Sequence, residues 1–267
     1  MPYYDGIAQK KQAKYLLGGK YIFKAPALTA LRETGYNGGT EGKEGTAPMF
    51  TGFSQETSQF MMNLALNNDR PWFEAHREVY ERSLKQPMDE LAKEVMAEMV
   101  RRFPDDPFEL HVSRIYRDAR RLFGRGPYKE ELWFSLKPSR NLEGGGNLFF
   151  GIDALSWQIG CDFWRDPQGM AGFRKSMDDD PAAFLKLARW FGQQDYFTLH
   201  GEDYKKKKGH ADDELCPWYN KKYLWMMHRE PFNDKLFSHD FVTLCADGLS
   251  ALMPFYRYFL RVYGYGA

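Results

Sequence analysis

Asn147-Leu148-Phe149-Phe150-Gly151-Ile152-Asp153, followed after Ala154-Leu155-Ser156 by Trp157-Gln158-Ile159-Gly160-Cys161-Asp162-Phe163-Trp164, is where the chain declares its architecture. Both runs are short, aromatic or β-branched, and partly alternating, the composition of a pleated and half-buried strand. Three residues between them suffice for a hairpin, so the pair reads as antiparallel. The glycines Gly144 to Gly146 form a loop before the first run. Two more segments of the same kind precede it, His111 to Asp118 and Leu132 to Lys137, giving a mainly antiparallel sheet in the middle of the chain.

On either side the period changes to that of helices. Ser54 can cap a helix carrying Phe60, Met61 and Leu64 on one face, with Asn67 and Asn68 as its stop. A second begins near Asp69, where Pro71 sits early enough for its missing amide to be harmless, and presents Trp72, Phe73, His76, Val79 and Tyr80. Pro87 opens a third with Met88, Leu91, Val95, Met99 and Phe103 in one stripe, ending at Pro104 and Pro107. Helices return after Asp166. One starts at Pro181, and the last runs from Phe241 through Leu244, Cys245, Leu249, Leu252, Tyr256, Phe259 and Tyr263, with a kink at Pro254. N-terminal helices, a central sheet and C-terminal helices packed on it make an α+β fold rather than a doubly wound parallel sheet.

A chain of 267 residues with 43% hydrophobic and 27% charged side chains can bury a substantial core, and its 16% aromatic content supplies large rings for it. Residues 1–48 hold 8 of the 24 glycines and carry 7 basic against 4 acidic side chains, a charge of +3. They read as a flexible Gly-rich leader ahead of a single α+β domain over 49–267, whose own balance is −2. That balance gives no field to draw the domain onto nucleic acid or an anionic membrane. Cys161, Cys216 and Cys245 are widely spaced, so neither a disulfide framework nor a zinc ribbon is indicated, and a reduced cytoplasm is the expected setting. Membrane insertion is disfavoured, because no run reaches the ~20 apolar residues a spanning helix needs.

The strongest chemical anomaly is the segment from Arg114 to Lys129, with six basic side chains against one acid. Two unit charges about 6 Å apart repel by roughly 0.7 kcal/mol in water but about 2.8 kcal/mol at an effective permittivity of 20. Sheltered in a cleft, such a cluster needs counter-charges or a bound anion, and arginine clamps carboxylate or phosphate through two parallel hydrogen bonds. On a strand, Arg114, Tyr116 and Asp118 would share one face and Ile115 and Arg117 the other. Three outcomes are open: a small-anion pocket, structural ion pairs to Asp118 or to acids such as Asp153 and Asp162, or a nucleic-acid or protein interaction surface using the cluster, the leader and the lysine run Lys205 to Lys208. That run faces Asp212, Asp213 and Glu214 in sequence and reads first as a solvated turn. Gly124 to Lys129 lacks the spacing of a phosphate loop, and no dinucleotide fingerprint, metal-ligand spacing or serine elbow is present.

These motifs, in this order, resemble the domain of unknown function 2461 family: Asn67-Asn68-Asp69-Arg70-Pro71-Trp72-Phe73-Glu74 with Tyr80, Arg114-Ile115-Tyr116-Arg117-Asp118-Ala119-Arg120, Pro127-Tyr128-Lys129, Gly160 to Trp164, and Gly201-Glu202-Asp203 to Lys206. The likeness spans about residues 53–263. It departs where the family has Phe after Arg-Asp-x-Arg: Arg121 stands there, and Phe123 is the nearest ring. The resemblance implies a domain but no reaction, so whether the chain is an enzyme and what cofactor it takes are left open. The expectation is a small phosphate- or carboxylate-bearing ligand held by Arg114, Arg117, Arg120, Arg125, Tyr128 and Lys129, with Trp72 lining the groove. If chemistry follows, Asp118 or His111 would be its acid or base.

Overall fold

The computed structural model describes residues 49–138, 146–163 and 167–262. Residues 1–48, expected as a leader, together with Gly144, Gly145, Trp164 and Tyr263, lie outside the described residues.

The apolar stripes fold as their periodicity demands. Helix α1 (Gln55–Leu66) is closed at its start by a reciprocal pair of contacts between Ser54 and Thr57. Helix α2 (Arg70–Ala75) is capped by Asp69, whose carboxylate accepts the Trp72 amide at 2.9 Å. A short α3 (Arg77–Tyr80) passes through a π-helical turn, Glu81–Lys85, into α4 (Gln86–Arg102). The inward face of α4 carries Met88, Leu91, Ala92, Val95 and Met99, all fully buried. The Met, Leu and Val side chains among them contribute about 1.5–3 kcal/mol each when removed from water.

The sheet is antiparallel throughout, in the order β1-β2-β3-β4-β6-β5. Its members are β1 (Glu109–Val112), β2 (Glu131–Lys137), β3 (Asn147–Asp153), β4 (Ser156–Phe163), β5 (Thr198–His200) and β6 (Leu224–Pro231). The β3–β4 hairpin turns through Ala154 and Leu155, with Asp153 accepting the amides of Leu155 and Ser156, both at 2.8 Å. Between the strands come α5 (Pro167–Asp179), α6 (Pro181–Gln193) and α7 (Cys216–Tyr219). Helices α8 (Asp240–Ala251) and α9 (Met253–Val262) close the described chain. Phe150, Trp157 and Phe241 meet where the sheet receives α8, with the Trp157 and Phe241 rings edge to face at 5.0 Å.

Three sequence expectations need correction. The first strand is β1, and the chain leaves the sheet at Ser113, so Arg114 to Asp118 is not part of a continuous strand. Strands β5 and β6 come from the C-terminal half, where only helices were expected, and β6 lies inside the sheet against β4. The last helix is two helices. Leu252 separates them and Pro254 occupies the second position of α9, where a missing amide costs nothing.

Candidate functional site

After β1, the Ser113 amide donates to the Trp133 carbonyl (2.8 Å) and the chain then pairs with itself rather than with the sheet. The Arg117 amide donates to the Pro127 carbonyl and the Lys129 amide to the Ile115 carbonyl, both at 2.8 Å. Between these rungs lies a loop in which Asp118 caps a turn through the Arg120 amide (3.0 Å), and Phe123 and Gly124 both take left-handed conformations. Phe123 is 76% exposed.

The loop is fastened from 60 residues upstream. The Asn68 side chain accepts the Tyr128 amide at 2.9 Å and donates to the Tyr128 carbonyl at 3.0 Å. The Tyr128 ring stacks on Phe73 at 4.1 Å, and a Cβ on Gly126 would lie 2.3 Å from the Asn68 carbonyl, so only glycine passes there. Two of the motifs quoted above thus form one clamp, with Asn68 and Phe73 from the first and Tyr128 from the second.

The cations of the loop have different fates. Arg117 is turned inward, its side chain only 7% exposed, with Nε donating to the Tyr128 carbonyl (2.7 Å) and the guanidinium 3.4 Å from Glu130. Burial lowers its pKa, and Glu130 opposes that shift. Arg120 lies outside and pairs with Asp118 at 2.8 Å. Arg125 folds back so that Nε donates to the Leu122 carbonyl at 3.2 Å. Lys129 donates to the Arg114 carbonyl (2.6 Å), and burial, then the neighbouring Arg117, pushes its pKa down. Asp153 is used by Arg229, and Asp162 by Asn147.

Arg114 alone of the predicted set lines a cleft, of ≈ 240 Å³, between the π turn and the start of the loop. Arg77, Lys85, Asp89 and Tyr116 share its walls. Arg77 is held by Glu74 (2.7 Å) and Lys85 by Asp89 (2.8 Å), while no carboxylate among the described residues pairs with Arg114. Trp72 stacks on His76 at 4.1 Å and packs against Phe60, away from this cleft. His111 projects from the edge strand beside Trp133; burial, then Lys137 and Lys129, lowers its pKa.

Two features escaped the sequence. Glu131, at the start of β2, receives the Gln158 amide at 2.6 Å and faces Asp153 across the β2–β3 register. Burial, then the Asp153 charge, pushes its pKa up to about 7 against the pull of Arg229. Arg174, on α5, is only 8% exposed and lines a basic depression with the lysine run. Among the described residues, no group of three His, Cys, Asp or Glu side chains is placed to hold a metal ion.

The sequence model of the conserved hypothetical protein family DUF2461 matches residues 56–258, the span that holds the clamp, the loop and the sheet. The chain belongs to this family. No protein of curated function matches it. Among the described residues of this DUF2461 protein, no helix is long and apolar enough to cross a membrane.

Proposed function

We propose that this DUF2461 protein binds a small phosphate- or carboxylate-bearing ligand in the cleft at Arg114. One observation carries the proposal: an exposed guanidinium at the cleft wall with which no carboxylate among the described residues pairs, Glu74 and Asp89 being committed to Arg77 and Lys85. Lys129 supports it from behind by gripping the Arg114 carbonyl, and Arg117, Tyr128 and Asn68 fix the loop from which Arg114 projects. Arg120 and Arg125 make their contacts within the loop's far end, with Asp118 and the Leu122 carbonyl. Asp89 and Glu81 also line the cleft, which favours a ligand with one anionic group that one arginine can clamp. The free cysteines Cys161, Cys216 and Cys245 support a reducing, cytoplasmic setting.

For Arg117 a specific observation favours a structural role, since its Nε closes the Tyr128 carbonyl within the protein. A thermal-shift screen against sugar phosphates, nucleotides and dicarboxylates tests the proposal. The expected result is a stabilising ligand whose effect Arg114→Ala abolishes. If no such ligand raises the unfolding temperature, or if Arg114→Ala leaves the shift intact, the cleft is not the binding site.

A further inference from the structure

A second concavity, ≈ 720 Å³, lies between α5 and the loop after β5. Arg174, the run Lys205 to Lys208 and Lys222 line it together with the rings of Tyr204 and Tyr219, and no carboxylate is among its lining residues. The run is not a loose turn. The Tyr204 amide donates to the Asn220 carbonyl (2.9 Å), and the Asn220 side chain accepts the amides of Lys208 (2.7 Å) and Gly209 (3.2 Å). Asn220 is itself buried, so the lysines are presented on a backbone fixed at both ends. At the loop's base a Cβ on Gly201, which has φ +136°, would lie 2.0 Å from the Tyr223 carbonyl, so that turn too requires glycine.

The acids nearby have partners of their own, and one of them, Glu202, holds the lining Lys222. Asp212 caps its own turn through the Glu214 amide, and Glu214 pairs with Arg189 at 2.8 Å, so these two of the three acids expected to face the lysines are engaged elsewhere. Asp203 pairs with Lys221 (2.9 Å) and Glu202 with Lys222 (2.8 Å). Asp178 accepts the Tyr219 hydroxyl at 3.0 Å and lies 3.5 Å from His210.

Arg174 decides the matter. It is more than nine-tenths buried, no carboxylate pairs with it among the described residues, and its one hydrogen bond is a long 3.5 Å contact to the Lys221 carbonyl. Its guanidinium lies over the Tyr204 ring at 5.3 Å, and the Lys208 ammonium approaches the same ring at 4.7 Å. A ring quadrupole offsets only part of a positive charge, and here two cations approach one ring. A buried guanidinium beside further cations is a costly arrangement without a counter-charge. With it, the same groups form a preorganised receptor: a planar fork at the floor and exposed ammonium groups at the rim.

We infer that this depression, independently of the Arg114 cleft, binds a compact small molecule bearing two or more phosphate groups, with Arg174 clamping one phosphate and Lys205 to Lys208 neutralising the others. The size lies within the range of ordinary ligand pockets. The −2 balance of residues 49–267 favours a free polyphosphorylated molecule over a nucleic-acid strand.

Calorimetric titration of the full chain with inorganic tripolyphosphate tests this. The expected result is saturable binding, stronger than that of inorganic monophosphate, weakened about tenfold or more by Arg174→Gln and by the double variant Lys206→Glu with Lys207→Glu. The latter pair is exposed, so its unfolding temperature should match that of the unaltered chain and separate lost binding from lost folding. The same titration of an Arg114→Ala chain should still show this site, which keeps it distinct from the cleft. Absence of binding up to millimolar concentration overturns the inference. So does binding that survives the lysine changes, or a single-stranded RNA oligonucleotide that these residues hold against excess tripolyphosphate.

Discussion

Replacing Glu131 by glutamine should make the protein more stable above neutral pH and leave it unchanged in acid. The carboxyl titrates from an ordinary 4.5 in the unfolded chain to about 7 in the folded one, because burial and Asp153 both disfavour its charged form. Between those two values the folded state holds a proton that the unfolded state has released. Stability therefore falls as pH rises through that window, by about 1.4 kcal/mol per unit and roughly 3 kcal/mol in all. Below pH 4.5 the group is neutral in both states and the deficit is absent. The introduced amide can keep the oxygen that accepts from Gln158 and turn its nitrogen towards Asp153, so the exchange removes the titration without opening a cavity. Urea unfolding of both proteins at a series of pH values from about 4 to about 8 reads the difference directly. The two should coincide at the acid end and diverge to about 3 kcal/mol at the alkaline end, the variant being the more stable. Parallel curves, or a variant that is the less stable at the alkaline end, would refute the assignment of a destabilising half-buried carboxylate at this position.

Asn68→Ala removes both bonds to the Tyr128 backbone; the carbonyl retains Arg117 but the amide is left without a partner, so chemical denaturation should show a loss of about 2 kcal/mol. Arg117→Ala should destabilise by a similar ~2 kcal/mol through the same carbonyl, while Arg120→Ala, on an exposed pair, should leave the unfolding midpoint where it is.

Helix α4 and the β3–β4 hairpin were legible because their signals are local: a five-residue apolar stripe, and two runs joined by a turn that Asp153 closes. Strand β6 was not. Leu224-Trp225-Met226-Met227 contains no β-branched residue, and Leu224, Met226 and Met227 are all buried, which erases the alternation that betrays a strand. Asn68 reads in sequence as a helix stop, yet its side chain serves a backbone 60 residues away, a relation no window of sequence contains. The cation count in Arg114 to Lys129 was correct as chemistry, but counting cannot say which guanidinium meets a carbonyl. Arg117 turns inward and Arg114 outward because the rungs at Ile115 and Arg117 fix their alternation. Conversely, the lysine run is followed by acids that are close in sequence and engaged elsewhere in space.

The π turn Glu81–Lys85 sets how the two ends of the helical segment face each other. It holds one residue more than a regular helix would, and Ser83 and Leu84 are buried within it while the Ser83 carbonyl accepts the Thr57 hydroxyl at 2.6 Å. Each residue of a helix advances the azimuth by about 100°. A deletion that restored regular winding would swing Phe73 out from beneath Tyr128 while leaving α4 seated on the sheet. The widened turn thus works as an angular spacer, and chain length here is as constrained as side-chain identity in the core.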